Sequence, residues 1–207
     1  MVWDYMKKKY MMIGIITIAV VIIIPVSLKM MTKKGNSKKV SMIDHKKVEG
    51  MYVKNDDSVC TDIPTGENVN LFLVFGQMKK DKVLSDSIDI STYKSEANKI
   101  VKNVSENVNY TYEGYKYTMS GDKIVRVKTE CTNSYVSKLY GYSQGEDKLY
   151  LTITSGYING DKVYDLSGEE IGEYSKDKLN SILDDGTMKN YIFDKEGSLY
   201  KFEKVED

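Results

Sequence analysis

Residues 69–75, VNLFLVF, are the most apolar run beyond residue 48 and predict the central strand of a sheet. Turn signals lie on either side and recur downstream: Pro64-Thr65-Gly66, Ser120-Gly121-Asp122, Gln144-Gly145-Glu146, Asn159-Gly160-Asp161, Asp185-Gly186 and Glu196-Gly197. The segments between them alternate. Tyr115, Tyr117 and Met119 share one parity, and Val125, Val127 and Thr129 follow across a short turn. Leu149, Leu151 and Ile153 alternate next, and Asn159-Gly160 predicts a tight hairpin toward Val163 and Leu166. At the end, Tyr191 and Phe193 face Tyr200 and Phe202 across Lys195-Glu196-Gly197.

Two segments carry a different period. Tyr93, Ala97, Ile100, Val101, Val104 and Val108 form a helical stripe over 93–108, with Ser91 or Thr92 as cap. Ser175 is placed to cap a shorter helix over 176–184 that buries Leu179, Ile182 and Leu183. The order of elements predicts an α+β domain, mainly antiparallel, with two helices packed on the sheet. No βαβ alternation and no internal repeat are evident.

Upstream, residues 11–28 (MMIGIITIAVVIIIPVSL) carry no charge. As a helix they would span ~27 Å, enough for a hydrocarbon core. The run ends at Pro25-Val26-Ser27-Leu28-Lys29 without an A-x-A-like site, so an uncleaved transmembrane anchor is expected rather than a cleaved signal peptide. The chain then divides into a short tail (1–10), the anchor (11–28), a basic juxtamembrane linker (29–48) and the α+β domain (49–207).

Charge follows that division. The whole chain holds 30 Lys or Arg and 30 Asp or Glu. Residues 49–207 hold 20 basic and 28 acidic side chains, whereas 29–48 hold seven Lys and only Asp44. An acidic domain argues against nucleic acid as partner. The basic linker suits a solvated spacer or a contact with anionic lipid headgroups. Orientation pulls two ways. The positive-inside rule, read literally, draws the seven Lys to the cytoplasm. Lys7, Lys8 and Lys9 abut the start of the span, and a long downstream domain translocates largely regardless of its charge. The expectation is N-terminus inside and domain outside, with a cytoplasm-facing tethered domain as the alternative.

Cys60 and Cys131 are the only cysteines. In an extracytoplasmic domain such a pair invites a disulfide; two unpaired buried thiols are the other reading. One histidine, His45 in the linker, removes the usual zinc sets and the Cys–His and Ser–His–Asp nucleophile pairs from the domain. A sortase-like transpeptidase fails on the same ground, since Arg126, the only Arg, precedes Cys131 instead of following it. Ser-x-x-Lys spacing occurs at Ser91/Lys94, Ser120/Lys123 and Ser175/Lys178, without the S-D-N and K-T-G companions of that chemistry. The carboxylate pairs Asp56-Asp57, Asp86/Asp89, Glu169-Glu170 and Asp184-Asp185 lack EF-hand spacing and read as solvated surface. No phosphate-binding glycine loop appears. No catalytic residue, metal or cofactor is therefore expected.

The tyrosines remain. Of 17 in the chain, 15 fall in 49–207, and Tyr110, Tyr112, Tyr115, Tyr117, Tyr135, Tyr140 and Tyr142 cluster. Strands favour Tyr for cross-strand packing. The same rings also suit a binding face for a protein or glycan.

The closing segment Lys189-Asn190-Tyr191-Ile192-Phe193-Asp194-Lys195-Glu196-Gly197-Ser198-Leu199-Tyr200-Lys201-Phe202-Glu203-Lys204-Val205-Glu206 resembles the final hairpin of uncharacterised membrane-anchored surface proteins of low-GC Gram-positive bacteria. The anchor followed by Val48-Glu49-Gly50-Met51-Tyr52 is similar to theirs as well. The resemblance covers about a fifth of the chain, and implies an envelope location and no particular activity. The expected function is an extracytoplasmic, non-catalytic interaction domain on a single-pass anchor. A membrane-anchored envelope hydrolase or transpeptidase is the competing class.

Overall fold

The computed structural model describes Ile43, Lys47, Val48, Met51, Tyr52, Lys54 and residues 59–206. All of them fall in one compact unit, 42–207. The expected anchor at 11–28 and most of the linker lie outside the described residues. Among those described, no helix is long and apolar enough to cross a membrane.

The 69–75 run is not a strand. It lies within helix α1, Asn68–Lys80, which buries Val69, Leu71, Phe72, Leu73, Val74, Phe75, Gly76 and Met78. A helix that is apolar around its circumference must be covered on several sides, and this one is. Phe72 meets Tyr135 edge-on with ring centroids 5.2 Å apart and lies 6.2 Å from Tyr112. Phe75 lies 4.3 Å from Tyr117. A short apolar run looks the same in a buried helix and a buried strand, and the extension through Gly76 to Lys80 decides for the helix. The helix stops in a paired-bond C-cap. Val83 N–H donates to Met78 O at 2.9 Å and Lys82 N–H to Lys79 O at 3.0 Å, with Lys82 at φ 59° where glycine is usual.

Strand β1 (Ser87–Asp89) leads into α2 (Ile90–Ile100). This is the first expected helix, shortened. Its N-cap position is Asp89, not Ser91 or Thr92, with no side-chain capping bond, and it ends where Val101 turns extended to form a parallel bridge with Phe202. The apolar stripe nevertheless stays on one core. Tyr93, Ala97 and Ile100 reach that core from the helix, and Val101 and Val108 from extended chain.

The strands form two sheets, where one was expected. The first has the order β1-β4-β3-β2, with β2 Asn109–Tyr112, β3 Tyr115–Ser120 and β4 Lys123–Lys128. The second joins β5 (Asn133–Gln144), β6 (Lys148–Asn159), β7 (Lys162–Asp165), β8 (Glu170–Glu173), β9 (Thr187–Glu196) and β10 (Leu199–Glu206). Its path is β10-β9-β6-β7-β8, with β5 on β6. Every named strand pair is antiparallel, so the architecture is α+β. The turns fall where the sequence places them: Asn159 pairs with Lys162, Ser120 with Lys123 and Phe193 with Phe202. The second expected helix shrinks to α3 (Leu179–Ile182) and a 3₁₀ turn, Leu183–Asp185. With Val136, Ile158 and Val163, Leu179 and Leu183 make a satellite core.

The end of the basic stretch belongs to this unit. Val48 is fully buried in the main core and Ile43 packs against it. Ile43 N–H donates to Gln144 Oε1 at 2.7 Å. These two apolar residues bind a linker terminus that composition alone assigns to solvent.

Candidate functional site

The fold brings Cys60 and Cys131 to disulfide distance, with sulfurs 2.00 Å and Cα atoms 5.6 Å apart. The segment containing Cys60 stitches the two sheets together. Toward β2, Asp62 N–H donates to Thr111 O at 3.0 Å and Gly114 N–H to Cys60 O at 2.7 Å. Toward β5, Tyr135 N–H donates to Thr61 O at 2.9 Å and Ser134 Oγ to Val59 O at 2.7 Å. Thr61 is fully buried, and its Oγ1 accepts from Glu113 N–H at 3.1 Å. The cysteine pair clamps this mortar to the chain entering β5.

The seven clustered tyrosines do not share a face. Tyr110, Tyr112, Tyr117 and Tyr135 are among the largest fully buried side chains and belong to the core around α1. As binding-face candidates these four are corrected to core residues: their strands turn them toward Phe72 and Phe75. Burial is the first cause that raises each of their phenol pKa values. Tyr110 donates its hydroxyl to Asp62 O at 2.6 Å, while the Tyr112 hydroxyl has no hydrogen-bond partner among the described residues. Tyr115 is half-buried beneath Arg126, whose guanidinium carbon lies 4.1 Å from its ring centroid. Arg126 Nε donates to Asp86 Oδ1 at 3.0 Å. The lone arginine thus holds the margin of the first sheet.

Tyr140 and Tyr142 do reach solvent, 60% and 36% exposed. They line a groove of about 530 Å³ with Tyr52, Lys54, Lys138, Leu139 and Gly141. A bulge makes it. The register passes from Leu139↔Ile153 to Gly141↔Thr152, leaving Tyr140 without a cross-strand partner. Tyr140 is the extra residue and belongs to neither face. The phenol of Tyr52 meets Ser137 Oγ at 3.1 Å, and burial raises its pKa against that hydrogen bond. The Lys138 ammonium is held by the Asn180 carbonyl at 2.6 Å and by Asp184. Sequence reasoning missed Tyr52, Lys54 and Lys138, which no spacing connects. It had one usable signal for the bulge, Gly141 interrupting an alternating run.

The other candidates disperse. Ser120 and Lys123 face each other across a hairpin turn. Asp86 pairs with Arg126, Asp89 with Lys123, Glu170 with Lys162 and Asp184 with Lys138. Among the described residues, no three His, Cys, Asp or Glu gather as a metal site. Compared with known proteins, the chain matches no family model, no curated protein and no solved structure.

Proposed function

We propose that the chain is a single-pass membrane protein whose domain is a non-catalytic binding module outside the cell membrane, with the β5 groove as its contact surface. The observation that carries the binding reading is the exposed Tyr140 ring, held out by a bulge over a groove with a lysine at its rim. Rigid rings with a polar tip lose little conformational freedom on contact and are over-represented where proteins are recognised. The uncharged 11–28 run supports the anchor. The cysteine pair at disulfide distance supports an oxidising compartment, where the bond forms and persists. The closing hairpin's resemblance to envelope proteins points the same way. The basic linker adds a contact with anionic lipid.

Two measurements test this. Intact cells are treated with a membrane-impermeant maleimide before and after reduction under denaturing conditions. Labelling that requires reduction and unfolding supports an outside domain with a Cys60–Cys131 bond. Free thiols reachable only once the membrane is opened overturn the location. For the site, Tyr140→Ser with Tyr142→Ser is expected to abolish retention on isolated envelope while leaving the urea midpoint unchanged. Unchanged retention overturns the groove.

A further inference from the structure

We infer that a trench over the first turn of α1 binds a neutral glycan, independently of the β5 groove.

Two cavities make the trench. One, of about 500 Å³, lies between the start of α1 and the β9–β10 pair, with Val69, Lys189, Phe202 and Lys204 in its lining. The other, of about 480 Å³, lies between the same turn and the loop 103–107. Glu67 and Asn70 line both, so the two adjoin. Each falls within the range of small-ligand sites, about 300–1,000 Å³.

The walls decide the kind of ligand. The backbone amides at the helix start are already used. Asn68, Val69 and Asn70 N–H donate to the Thr65, Gly66 and Glu67 carbonyls at 3.0, 3.4 and 3.2 Å. The helix end therefore offers no free cradle for a phosphate or carboxylate, and Glu67 and Glu106 repel one. A cationic peptide would need those carboxylates to dominate, but Lys189 and Lys204 line the same trench.

What remains is side-chain hydrogen bonding. Asn70 Nδ2 donates to Asn103 O at 3.1 Å, which leaves Asn70 Oδ1 as an acceptor. Ser105 Oγ donates to Asn107 O at 3.0 Å and keeps its lone pairs. The side chains of Glu67, Asn103, Glu106 and Asn107 have no partner among the described residues. A carboxamide sets a donor beside an acceptor, and a hydroxyl both donates and accepts. Neighbouring hydroxyls on a sugar ring present the donor–acceptor pairs that carboxamides match. Val69, Val104, Phe202 and Val205 supply the apolar part of the lining, for the C–H faces of the rings. A few placed polar groups among apolar ones is the ordinary make-up of a ligand site.

The test uses the full chain in nanodiscs. The probe is chitotetraose, a neutral tetramer of N-acetylglucosamine. Saturable heat in titration calorimetry and saturation transfer to the probe's protons are expected. Asn103→Ala and Asn107→Ala each remove a carboxamide from an exposed position, and neither side chain carries a bond within the described fold. Each should weaken binding about tenfold, the worth of one good hydrogen bond, and leave the urea midpoint unchanged. A tenfold rise in salt should change nothing, since the ligand is uncharged, and nor should Tyr140→Ser. No saturable binding overturns the inference. So does full binding by the Asn103→Ala, Asn107→Ala double variant, or displacement of the probe by polylysine, which marks the trench as a cation site. Loss of binding in Tyr140→Ser alone moves the glycan to the β5 groove and overturns the trench. Failure here leaves the β5 groove standing, because envelope retention tests that surface separately.

Discussion

Residues 110–117 and 135–142 are both rich in tyrosine, with four and three, yet they end in opposite environments. In the first stretch, Tyr110, Tyr112 and Tyr117 are fully buried against α1. In the second, Tyr135 is buried and Tyr140 stands in solvent five residues later. Composition does not separate them; register does. β2 and β3 pair without interruption, Tyr110 opposite Tyr117 and Tyr112 opposite Tyr115, so one parity faces the helix throughout. β5 begins in the same way and then gains one residue on β6, which expels Tyr140. An aromatic strand therefore supplies a core where its ladder is regular and a surface where a bulge breaks it.

The most direct way to break this comparison is to truncate one ring from each side. Tyr135→Ala is expected to lower stability by about 3–5 kcal/mol, as for other large aromatic cavities. Tyr140→Ala should stay within about 0.5 kcal/mol of the parent. Urea unfolding followed by circular dichroism reads both. A cost above 1 kcal/mol at Tyr140 would mean that the ring packs in the fold and is not held out for a partner.

The second test removes the clamp that both regions share. Cys131→Ser unties the Cys60 segment from β5 while its hydrogen bonds to β2 and β5 remain. Closing a loop of 71 residues stabilises by about 4 kcal/mol in the chain-entropy model. The loss should appear equally in the parent under reductant. An unfolding midpoint that ignores both the substitution and the reductant would show that the bond does not form in solution.

Alkaline pH sharpens the contrast in a different way. Burial pushes the Tyr93 phenol up to about 12 from an ordinary value of 10.0. A group raised in the folded state contributes fully below pH 10 and loses its contribution as pH climbs toward 12. Stability should therefore fall across that window, by about 1.4 kcal/mol per pH unit at most for this one group. Tyr93→Phe is expected to flatten the slope, and an unchanged slope would assign the loss to the other buried phenols.

What could be read from the sequence follows the same division between regular and broken backbone. The hairpins at Ser120–Lys123, Asn159–Lys162 and the closing turn were legible because Gly121, Gly160 and Gly197 sit at φ near +62°, which glycine adopts without strain. The α1 run was misread because its six apolar residues carry no clear period, and only the tyrosines on both sheets, distant in sequence, show that the run needs cover on several sides. The first helix stripe was legible to Ile100 and misleading beyond it, since Val101 and Val108 keep their burial after the backbone leaves the helix. The groove was half legible. Tyr140 and Tyr142 were expected on a binding face together with five other tyrosines, of which four turn into the core. Tyr52 and Lys54 join them only through the tertiary fold.

The smallest effect divides the buried tyrosines themselves. Tyr110 and Tyr112 are neighbours of one parity in β2, equally buried, and differ in the hydroxyl. Tyr110 donates to Asp62 O at 2.6 Å, whereas the Tyr112 oxygen has no partner among the described residues. Removing a satisfied buried hydroxyl loses a bond worth about 1 kcal/mol and strands a carbonyl acceptor. Removing an unsatisfied one recovers a desolvation cost of similar size. Tyr110→Phe should therefore destabilise by about 1 kcal/mol, and Tyr112→Phe should be neutral or stabilise by up to about 1 kcal/mol. Paired urea curves decide it. If both substitutions destabilise equally, the Tyr112 hydroxyl has a partner in solution, and the core side of the comparison is wetter than its packing suggests. If they diverge as expected, Tyr112 keeps a hydroxyl that stability does not need. Its ring then fills the space against Phe72 and Phe75, as a phenylalanine would.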